Sequence, residues 1–408
     1  MRILLLNQAF FPDTVATAQY LTDAAKALAA EAHDVTVITS ARAYDDPARL
    51  FPARETWRGI DIHRITPLAF GKRSRWRRAA DFASFLTLCA AKLAAMPRFD
   101  AIVALTSPPL ISVLGATAAR VKGSRFIFWV MDLNPDEAIA AGWLKPSGLT
   151  ARLLDRLLRF SLNHGDTIVA LDRFMADVIA SKGISRDRIE VLPPWCHENV
   201  TFDAAGRDEF RRAHAWSDKF VVMYAGNHSP CNPLDTIIAA AEQMRDDPDV
   251  VFCFMGGGSV FRGIQQSVAG KLPNVVCLDY QPREALAAAL SAADLHVVTM
   301  GDPFRGLIHP SKIYNVLKVG APFLFVGPRP SHVTDIAQAV PAASWCIDHG
   351  DVDDVLRAIA DARAGAPAND RAGIAAASAP FDASRLLPEF LRIVTQPARS
   401  PLAVLQQT

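Results

Sequence analysis

A lysine that could meet a phosphate follows a proline and a serine in the run Pro310-Ser311-Lys312. Because proline is tolerated in the first turn of a helix, this run predicts a helix that begins near Ser311 and Lys312. Asn315 then lies one turn further along the same face. The start of a helix favours anions, so Ser311, Lys312 and Asn315 are candidates for binding a pyrophosphate. For Lys312 alone, a solvated surface lysine is the simpler alternative.

Two glycine-containing turns follow apolar runs in the same half of the chain. The first contains Gly226, Asn227 and His228 after residues 220–224, and the second contains Gly256, Gly257 and Gly258 after residues 250–255. Turns of this kind offer backbone N–H groups to phosphates, and glycine permits close approach of a ligand. Ordinary turns have the same composition, so each turn alone is weak support. Two of them on successive strands favour a nucleotide-binding site.

Polar side chains also follow two apolar runs in the first half of the chain. Asp132 follows residues 126–130, and Thr106 and Ser107 follow residues 102–105. A carboxylate at a strand end can orient or deprotonate an acceptor hydroxyl, so Asp132 joins Lys312 as a predicted catalytic residue. The hydroxyls of Thr106 and Ser107 are candidates for contacting a sugar, and a shaped turn before the following prolines is an equal alternative.

The apolar runs that carry these residues alternate with helical patterns. They are residues 3–6, 35–39, 102–105, 126–130, 167–171 and 189–192, then residues 220–224, 250–255, 275–278, 295–299 and 323–326. Continuous apolar runs with long connections are typical of parallel strands covered on both faces. The sequence therefore predicts two doubly wound α/β domains, at residues 1–200 and 215–380, with a helix at 382–400 that packs back on the first. Because such sheets bind ligands at the carboxyl ends of their strands, we expect the domains to face a cleft.

Composition restricts the class of protein. The chain has 408 residues and a formal net charge of +1, which allows two cores and argues against a nucleic-acid partner. Its six cysteines are scattered without a CxxC pair, so we expect buried thiols in a reducing compartment and neither a metal site nor a cofactor. The opening apolar stretch is too short for a signal peptide and no run is long enough to span a bilayer. These features predict a cytoplasmic protein.

Basic residues precede an amphipathic stretch between residues 72 and 95. Residues 72–78 hold four arginines and one lysine around Trp76, and Phe82, Phe85 and Leu88 follow. An anionic bilayer surface attracts such a helix by about 1 kcal/mol per cation. A core helix with a solvated basic start is an equal alternative. The membrane interpretation predicts peripheral attachment at the inner face of the plasma membrane and a lipid-linked acceptor.

Taken together, these motifs resemble the family-4 glycosyltransferases of the GT-B fold, in particular the bacterial exopolysaccharide and O-antigen branch that includes colanic-acid-type enzymes. The resemblance covers nearly the whole chain. It rests on Phe11-Pro12-Asp13, residues 33–39, Asp132, residues 191–195, Tyr224-Ala225-Gly226-Asn227, residues 256–258 and residues 310–315. The fold implied is two Rossmann-like domains that face a cleft.

The resemblance also implies sugar transfer with retained anomeric configuration and without a metal. The nucleotide-sugar donor is expected in the carboxyl-terminal domain, where Gly226 and Asn227 would face its phosphates and residues 256–258 its nucleotide. Ser311 and Lys312 would meet the pyrophosphate. Lys312 and helix dipoles can neutralise a leaving diphosphate in place of a metal. The acceptor is expected in the amino-terminal domain, on the side lined by Asp132.

The chain departs from the family pattern on both sides of the expected site. Many relatives carry two glutamates eight residues apart, where this chain has Leu307 and Asn315. Asn315 can still hydrogen-bond a ribose hydroxyl, whereas Leu307 offers no polar contact. Part of the colanic-acid-type branch looks similar, so we interpret this as a branch trait. The acceptor loop lacks the paired glycines of many relatives and presents Thr14 and Thr17 instead.

The leading hypothesis is a retaining, metal-independent glycosyltransferase that moves a sugar from a UDP- or GDP-sugar to a glycan precursor of bacterial surface polysaccharide. Two alternatives remain open. A nucleotide-sugar epimerase on the same fold needs acid or base groups at the sugar, for which the donor-side turns offer mainly His228 and His309. A catalytically silent binding protein explains the missing glutamates, but it has no need of the glycine turns and Lys312.

Overall fold

A computed structural model describes residues 1–44, 46, 48–70, 75–196, 200–365 and 370–396. Its contacts divide the chain into two compact units. Unit 1 contains Met1–Pro193 and, from Leu386 on, the carboxyl-terminal segment; unit 2 contains Pro194–Arg385.

Unit 1 is built on one sheet with helices between its strands. The strands are β1 (Arg2–Leu6), β2 (Asp34–Ser40), β3 (Arg54–Trp57), β4 (Ile60–Ile65), β5 (Ala101–Ala104), β6 (Arg125–Trp129), β7 (Thr167–Ala170) and β8 (Ile189–Val191). The helices are α1 (Ala16–Ala30), α2 (Arg75–Ala95), α3 (Ile111–Lys122), α4 (Asp136–Ala140), α5 (Leu149–His164) and α6 (Arg173–Ser181). The eight strands lie in the order β3-β4-β2-β1-β5-β6-β7-β8. Every pair is parallel except β3 with β4.

Unit 2 repeats this plan with six parallel strands. They are β9 (Phe220–Asn227), β10 (Val250–Gly257), β11 (Val275–Leu278), β12 (Leu295–Thr299), β13 (Phe323–Val326) and β14 (Ser344–Ile347), in the order β11-β10-β9-β12-β13-β14. The helices are α7 (Ala204–Ala213), α8 (Asp235–Gln243), α9 (Phe261–Ser267), α10 (Leu286–Ser291), α11 (Lys312–Lys318), α12 (His332–Ala337), α13 (Val352–Arg363) and α14 (Arg371–Ala376). The predicted class, two doubly wound parallel-sheet α/β domains, is confirmed.

Apolar runs predicted the central strands but missed β3, β4 and β14. β4 is buried although it contains charged and polar residues, because each of these has a partner: the His63 ring lies 3.0 Å from Asp61, and Arg64 lies 2.7 Å from Glu55. Polar and charged side chains that have partners of this kind can be buried within a strand, and they interrupt the apolar pattern by which a strand is recognised.

Close helix packing covers the first sheet. α3 lies so near β6 that a Cβ on Gly115 would stand 2.8 Å from the ring of Phe126. The last described helix, α15 (Ala383–Thr395), packs through Phe390 on Trp129 of β6, with ring centroids 4.3 Å apart. Arg125 of β6 donates hydrogen bonds to the carbonyl of Gln396 at 2.8 Å and to that of Val394 at 3.2 Å. Residues 397–400 of the predicted terminal helix lie outside the described residues.

None of the helices in the described part of the chain is both long enough and apolar enough to pass through a bilayer.

Candidate functional site

The two predicted glycine turns lie side by side at the carboxyl ends of β9 and β10, and the strands continue into them as far as Asn227 and Gly257. These strands pair in parallel register, with Gly226 opposite Gly256 and Asn227 opposite Gly257. Gly226, Gly256 and Gly258 have φ angles of 139°, 138° and 129°, a region that favours glycine. A Cβ on Gly256 would lie 2.0 Å from the carbonyl oxygen of Gly226. The glycines therefore allow the two turns to pack against each other.

Lys312 is the first residue of α11, and its side chain lies across Gly226. A Cβ on Gly226 would stand 3.3 Å from Cε of Lys312 and 3.6 Å from its Nζ. The ammonium group lies 3.7 Å from the ring centroid of Tyr224 and donates a hydrogen bond to the Tyr224 hydroxyl. That hydroxyl donates in turn to the carbonyl oxygen of Asn227, at 2.7 Å. One tyrosine thus connects the predicted pyrophosphate lysine to the first glycine turn.

Burial changes the ionisation of this group of residues. It lowers the pKa of Lys312 to about 7, so that the side chain gains charge readily when an anion approaches. It also raises the pKa of Tyr224 well above its usual range. For His228, burial and the nearby charge of Lys312 lower the pKa to about 4. Lys312 is therefore the one member of the three that titrates near neutral pH.

His228 lies behind the glycine turn and has no exposed surface. Its ring packs edge-on against Tyr224, with centroids 4.7 Å apart, and is tilted against Phe261, with centroids 4.9 Å apart. A Cβ on Gly258 would lie 2.3 Å from the backbone carbonyl oxygen of His228. The His228 ring is therefore enclosed and neutral, and it packs beneath the first glycine turn.

The remaining donor-side candidates lie on α11 or just before it. Ser311 occupies the N-cap position and Asn315 is one turn further on, and both are half-buried like Lys312. Their neighbours Ile313, Tyr314, Val316 and Leu317 are buried in unit 2. Leu307, at the position of the first family glutamate, is 9% exposed. The accessible side of α11 therefore presents Ser311, Lys312 and Asn315 together.

Tyr224 and Tyr280 are two aromatic residues that sequence reasoning passed over as functional candidates. Tyr224 belongs to a buried strand, and its hydroxyl contact with Lys312 joins segments 88 residues apart. Tyr280 follows β11 and is 59% exposed, and its ring is 2.9 Å from the position of a Cβ on Gly257. An exposed aromatic ring beside a glycine turn can stack on a nucleotide base. In the sequence, Tyr280 could have been recognised as an aromatic residue that follows the apolar run 275–278, whereas Tyr224 gives no comparable signal because it lies within an apolar run.

In unit 1 the predicted acceptor-side residues follow three neighbouring strands. Asp132 follows β6 and is half-buried; burial and the nearby Glu137 carboxylate raise its pKa above the usual range. Ser107 follows β5, and its carbonyl accepts a hydrogen bond from the Gln8 backbone at 2.6 Å. Thr106 is half-buried beside it.

Thr14 and Thr17 lie at the start of α1, after β1. Thr14 is exposed and its carbonyl accepts a hydrogen bond of 2.5 Å from Gln19, whereas Thr17 is half-buried. Asp136, which follows Asp132 closely, is engaged with Lys182 at 2.7 Å. The carboxylate of Asp136 is thus held in an ion pair.

Comparison with known proteins places these features in a class. Residues 16–195 match the model of the glycosyl transferase 4-like domain. The putative colanic acid biosynthesis glycosyl transferase WcaI of Escherichia coli K12 is 25% identical over 378 residues, which cover 89% of this chain and 92% of the relative. The probable glycosyltransferase WbjE of Pseudomonas aeruginosa is 25% identical over 243 residues, 59% of this chain and 60% of the relative.

Among solved structures, Anabaena HepE in complex with UDP and glucose superposes with a TM-score of 0.72 at 15% identity, covering 97% of this chain and all of HepE. At that identity the likeness concerns the fold. The two α/β units and the matched domain define a glycosyltransferase with the GT-B fold. Residues 16–195 match a glycosyl transferase 4-like domain, and the predicted resemblance to the colanic-acid-type branch is confirmed.

Proposed function

We propose that this chain is a retaining, metal-independent glycosyltransferase that moves a sugar from a UDP- or GDP-sugar to a lipid-linked glycan precursor in bacterial surface polysaccharide synthesis. Unit 2 binds the donor and unit 1 binds the acceptor. The protein works as a peripheral protein at the inner face of the plasma membrane. The names of the relatives, with colanic acid biosynthesis among them, support the polysaccharide assignment.

The observation that carries the proposal is the position of Lys312 over Gly226. The missing side chain of Gly226 lets Lys312 lie close to the backbone at the end of β9, and burial brings the pKa of this lysine near neutrality. As the bond between the sugar and the diphosphate breaks, negative charge develops on the leaving oxygen. A cation already directed at that oxygen stabilises the transition state without a metal.

The nucleotide and the ribose are bound by residues around this lysine. Tyr280 stacks on the base beside Gly257, and Asn315 hydrogen-bonds a ribose hydroxyl in place of the glutamate found in many relatives. HepE has been solved with UDP and with UDP-glucose, which favours a uridine donor. The metal-independent mechanism remains a prediction from the charge that Lys312 supplies.

On the acceptor side, Asp132 orients the attacking hydroxyl, and Thr106, Ser107, Thr14 and Thr17 contact the sugar. A carboxyl group with a raised pKa exchanges a proton near neutral pH, as a residue that assists a hydroxyl must. The prediction of Asp132 as a catalytic residue thus depends on its raised pKa and on its place after β6.

The test of the proposal is release of free nucleotide from UDP- and GDP-sugars with and without lipid-linked glycan acceptors. A transferase releases nucleotide only when an acceptor is present, and a labelled sugar then appears in the acceptor. An epimerase changes the sugar without releasing nucleotide, so that result would contradict the proposal. Donor binding without turnover across the acceptors would indicate the silent binding protein instead.

A further inference from the structure

Helix α5 of unit 1 has apolar residues on two opposite sides. Ala151, Leu158 and Leu162 are buried against the unit. Leu149 and Leu153, one turn apart, are 84% and 57% exposed. At 3.6 residues per turn, these two leucines point away from the buried stripe. A surface helix normally carries polar residues there, so this outer side requires an explanation.

The same outer side carries positive charge. Arg152 and Arg156 alternate with the two leucines along the helix, and both are exposed. The single acidic residue of α5, Asp155, is bound by Arg159 at 2.8 Å and by Lys182 at 3.2 Å. Within the described part of the chain, no ion pair involves Arg152 or Arg156. The charge of these two exposed arginines is therefore not neutralised by an ion pair within the described residues.

The segment that leads into α5 continues this character. Trp143 is 44% exposed and Lys145 is exposed, six and four residues before Leu149. We define the α5 outer surface by Trp143, Lys145, Leu149, Arg152, Leu153 and Arg156. Tryptophan and leucine side chains beside lysine and arginine are the combination that enters the interfacial region of a bilayer.

Helix α2, where the sequence predicts the membrane contact, uses its apolar residues differently. Phe85, Cys89 and Leu93 are buried in unit 1, while Leu88 is 43% exposed. The predicted basic residues Lys72 and Arg73 lie outside the described residues. In the described part of α2, the apolar stripe therefore serves the core.

We propose that the α5 outer surface docks the protein on an anionic membrane surface. The leucines and the tryptophan enter the headgroup region, and the three cations meet acidic lipid headgroups. This inference deepens the peripheral-membrane part of the proposed function and rests on it, but it does not depend on the donor site. It assigns the membrane contact to α5 of the unit that binds the acceptor.

The experiment is co-sedimentation of the full chain with vesicles of phosphatidylcholine alone or with phosphatidylglycerol added. Binding is expected only with the anionic lipid. The double variant Arg152→Gln/Arg156→Gln is expected to bind about 30-fold more weakly, from about 1 kcal/mol per cation. Leu149→Ser/Leu153→Ser is expected to weaken binding about tenfold or more, because it removes buried apolar area. Val121→Ser, at a residue of α3 that is 78% exposed, is the matched control and is expected to bind like the wild type.

Four outcomes in the vesicle and oligomer measurements overturn the inference. No binding by the wild type, equal binding to neutral vesicles, or unchanged binding in both double variants removes the docking surface. A wild-type dimer that both variants dissociate, without any effect on vesicle binding, assigns the surface to a second copy of the chain. Donor binding by calorimetry is measured on the same variants and is expected to be unchanged. A wild type that binds vesicles but no donor therefore contradicts the proposed function and not this inference.

Discussion

At the scale of single residues, the pKa of Lys312 controls how the donor site responds to pH. The protonated lysine attracts a diphosphate, and its pKa of about 7 means that the charged fraction falls above neutrality. His228, with a pKa of about 4, stays neutral across this range. Affinity for a nucleotide sugar is therefore expected to be constant below about pH 7. Above that pH it falls by up to about tenfold per unit, until the pH passes the higher pKa of the complex.

Calorimetry from about pH 6 to about pH 9 measures this dependence. The ligand is a nucleotide sugar and not a nucleoside diphosphate. The terminal phosphate of a free diphosphate itself titrates at about pH 6, and this would add its own pH dependence. Lys312→Arg keeps its charge throughout and is expected to give a flat profile. A wild-type profile as flat as that of the arginine variant would show that Lys312 does not govern binding.

Tyr224 is expected to act as a positioning residue for Lys312. Its hydroxyl accepts a hydrogen bond from the ammonium group, which favours the charged form, while its ring lies beneath the nitrogen. Tyr224→Phe keeps the ring and removes the acceptor, so the pH at which donor affinity falls should move down by about one unit. Tyr44→Phe, at an exposed tyrosine of unit 1, is the control. An unmoved inflection in Tyr224→Phe would mean that the hydroxyl is only structural.

At the scale of elements, the pairing of β9 with β10 depends on glycine at the strand ends. Gly256→Ala would place a Cβ 2.0 Å from the carbonyl oxygen of Gly226, at a φ angle of 138°. We expect a loss of at least about 2 kcal/mol in the free energy of unfolding, from backbone strain and displacement of the turn. Gly263→Ala is the matched control, because a Cβ at this helical position in α9 meets no atom within 4 Å. It should be neutral or stabilising by up to about 1 kcal/mol. Urea denaturation compares the two, and equal stabilities would refute the steric account.

Helix α15 packs on the first sheet through an aromatic contact. Phe390 has no exposed surface and packs on Trp129. Phe390→Ala should lower the free energy of unfolding by about 3–5 kcal/mol, because it leaves a cavity against β6. Phe202→Ala, at a phenylalanine that is 37% exposed and stacked under Arg371, should cost about 1 kcal/mol or less. Similar losses in both variants would contradict the packing role of α15.

At the scale of the whole molecule, the sequence predicted the two sheets because nearly all of their parallel strands are continuous apolar runs. It also predicted the helix that begins at Lys312, since proline acts through local backbone geometry. The two glycine segments were predicted as turns, but β9 and β10 continue through them to Asn227 and Gly257. It missed β3 and β4, where buried charges such as Arg64 are paired with residues of the neighbouring strand.

The contact of Lys312 with Tyr224 could not be predicted, because it depends on how β9 and α11 pack. The glycines likewise serve a packing purpose that sequence does not distinguish from ligand approach. Gly256 and Gly258 leave room for the backbone carbonyls of Gly226 and His228, and Gly226 leaves room for the side chain of Lys312. The exposed leucines of α5 could not be predicted either, because a helix with leucine on both sides has the composition of an ordinary core helix.

The most direct test of the central claim is calorimetric titration of UDP- and GDP-sugars into the wild type, Lys312→Ala and Lys318→Ala. Lys318 is the matched control, a half-buried lysine in the last turn of α11 that contacts Asp382 at 2.5 Å. We predict that the wild type and Lys318→Ala bind at least one of these donors with similar affinity. Lys312→Ala should bind it about 10- to 100-fold more weakly, because a charge-assisted hydrogen bond to the diphosphate is lost. No binding by the wild type, or equal binding by Lys312→Ala, would contradict the account.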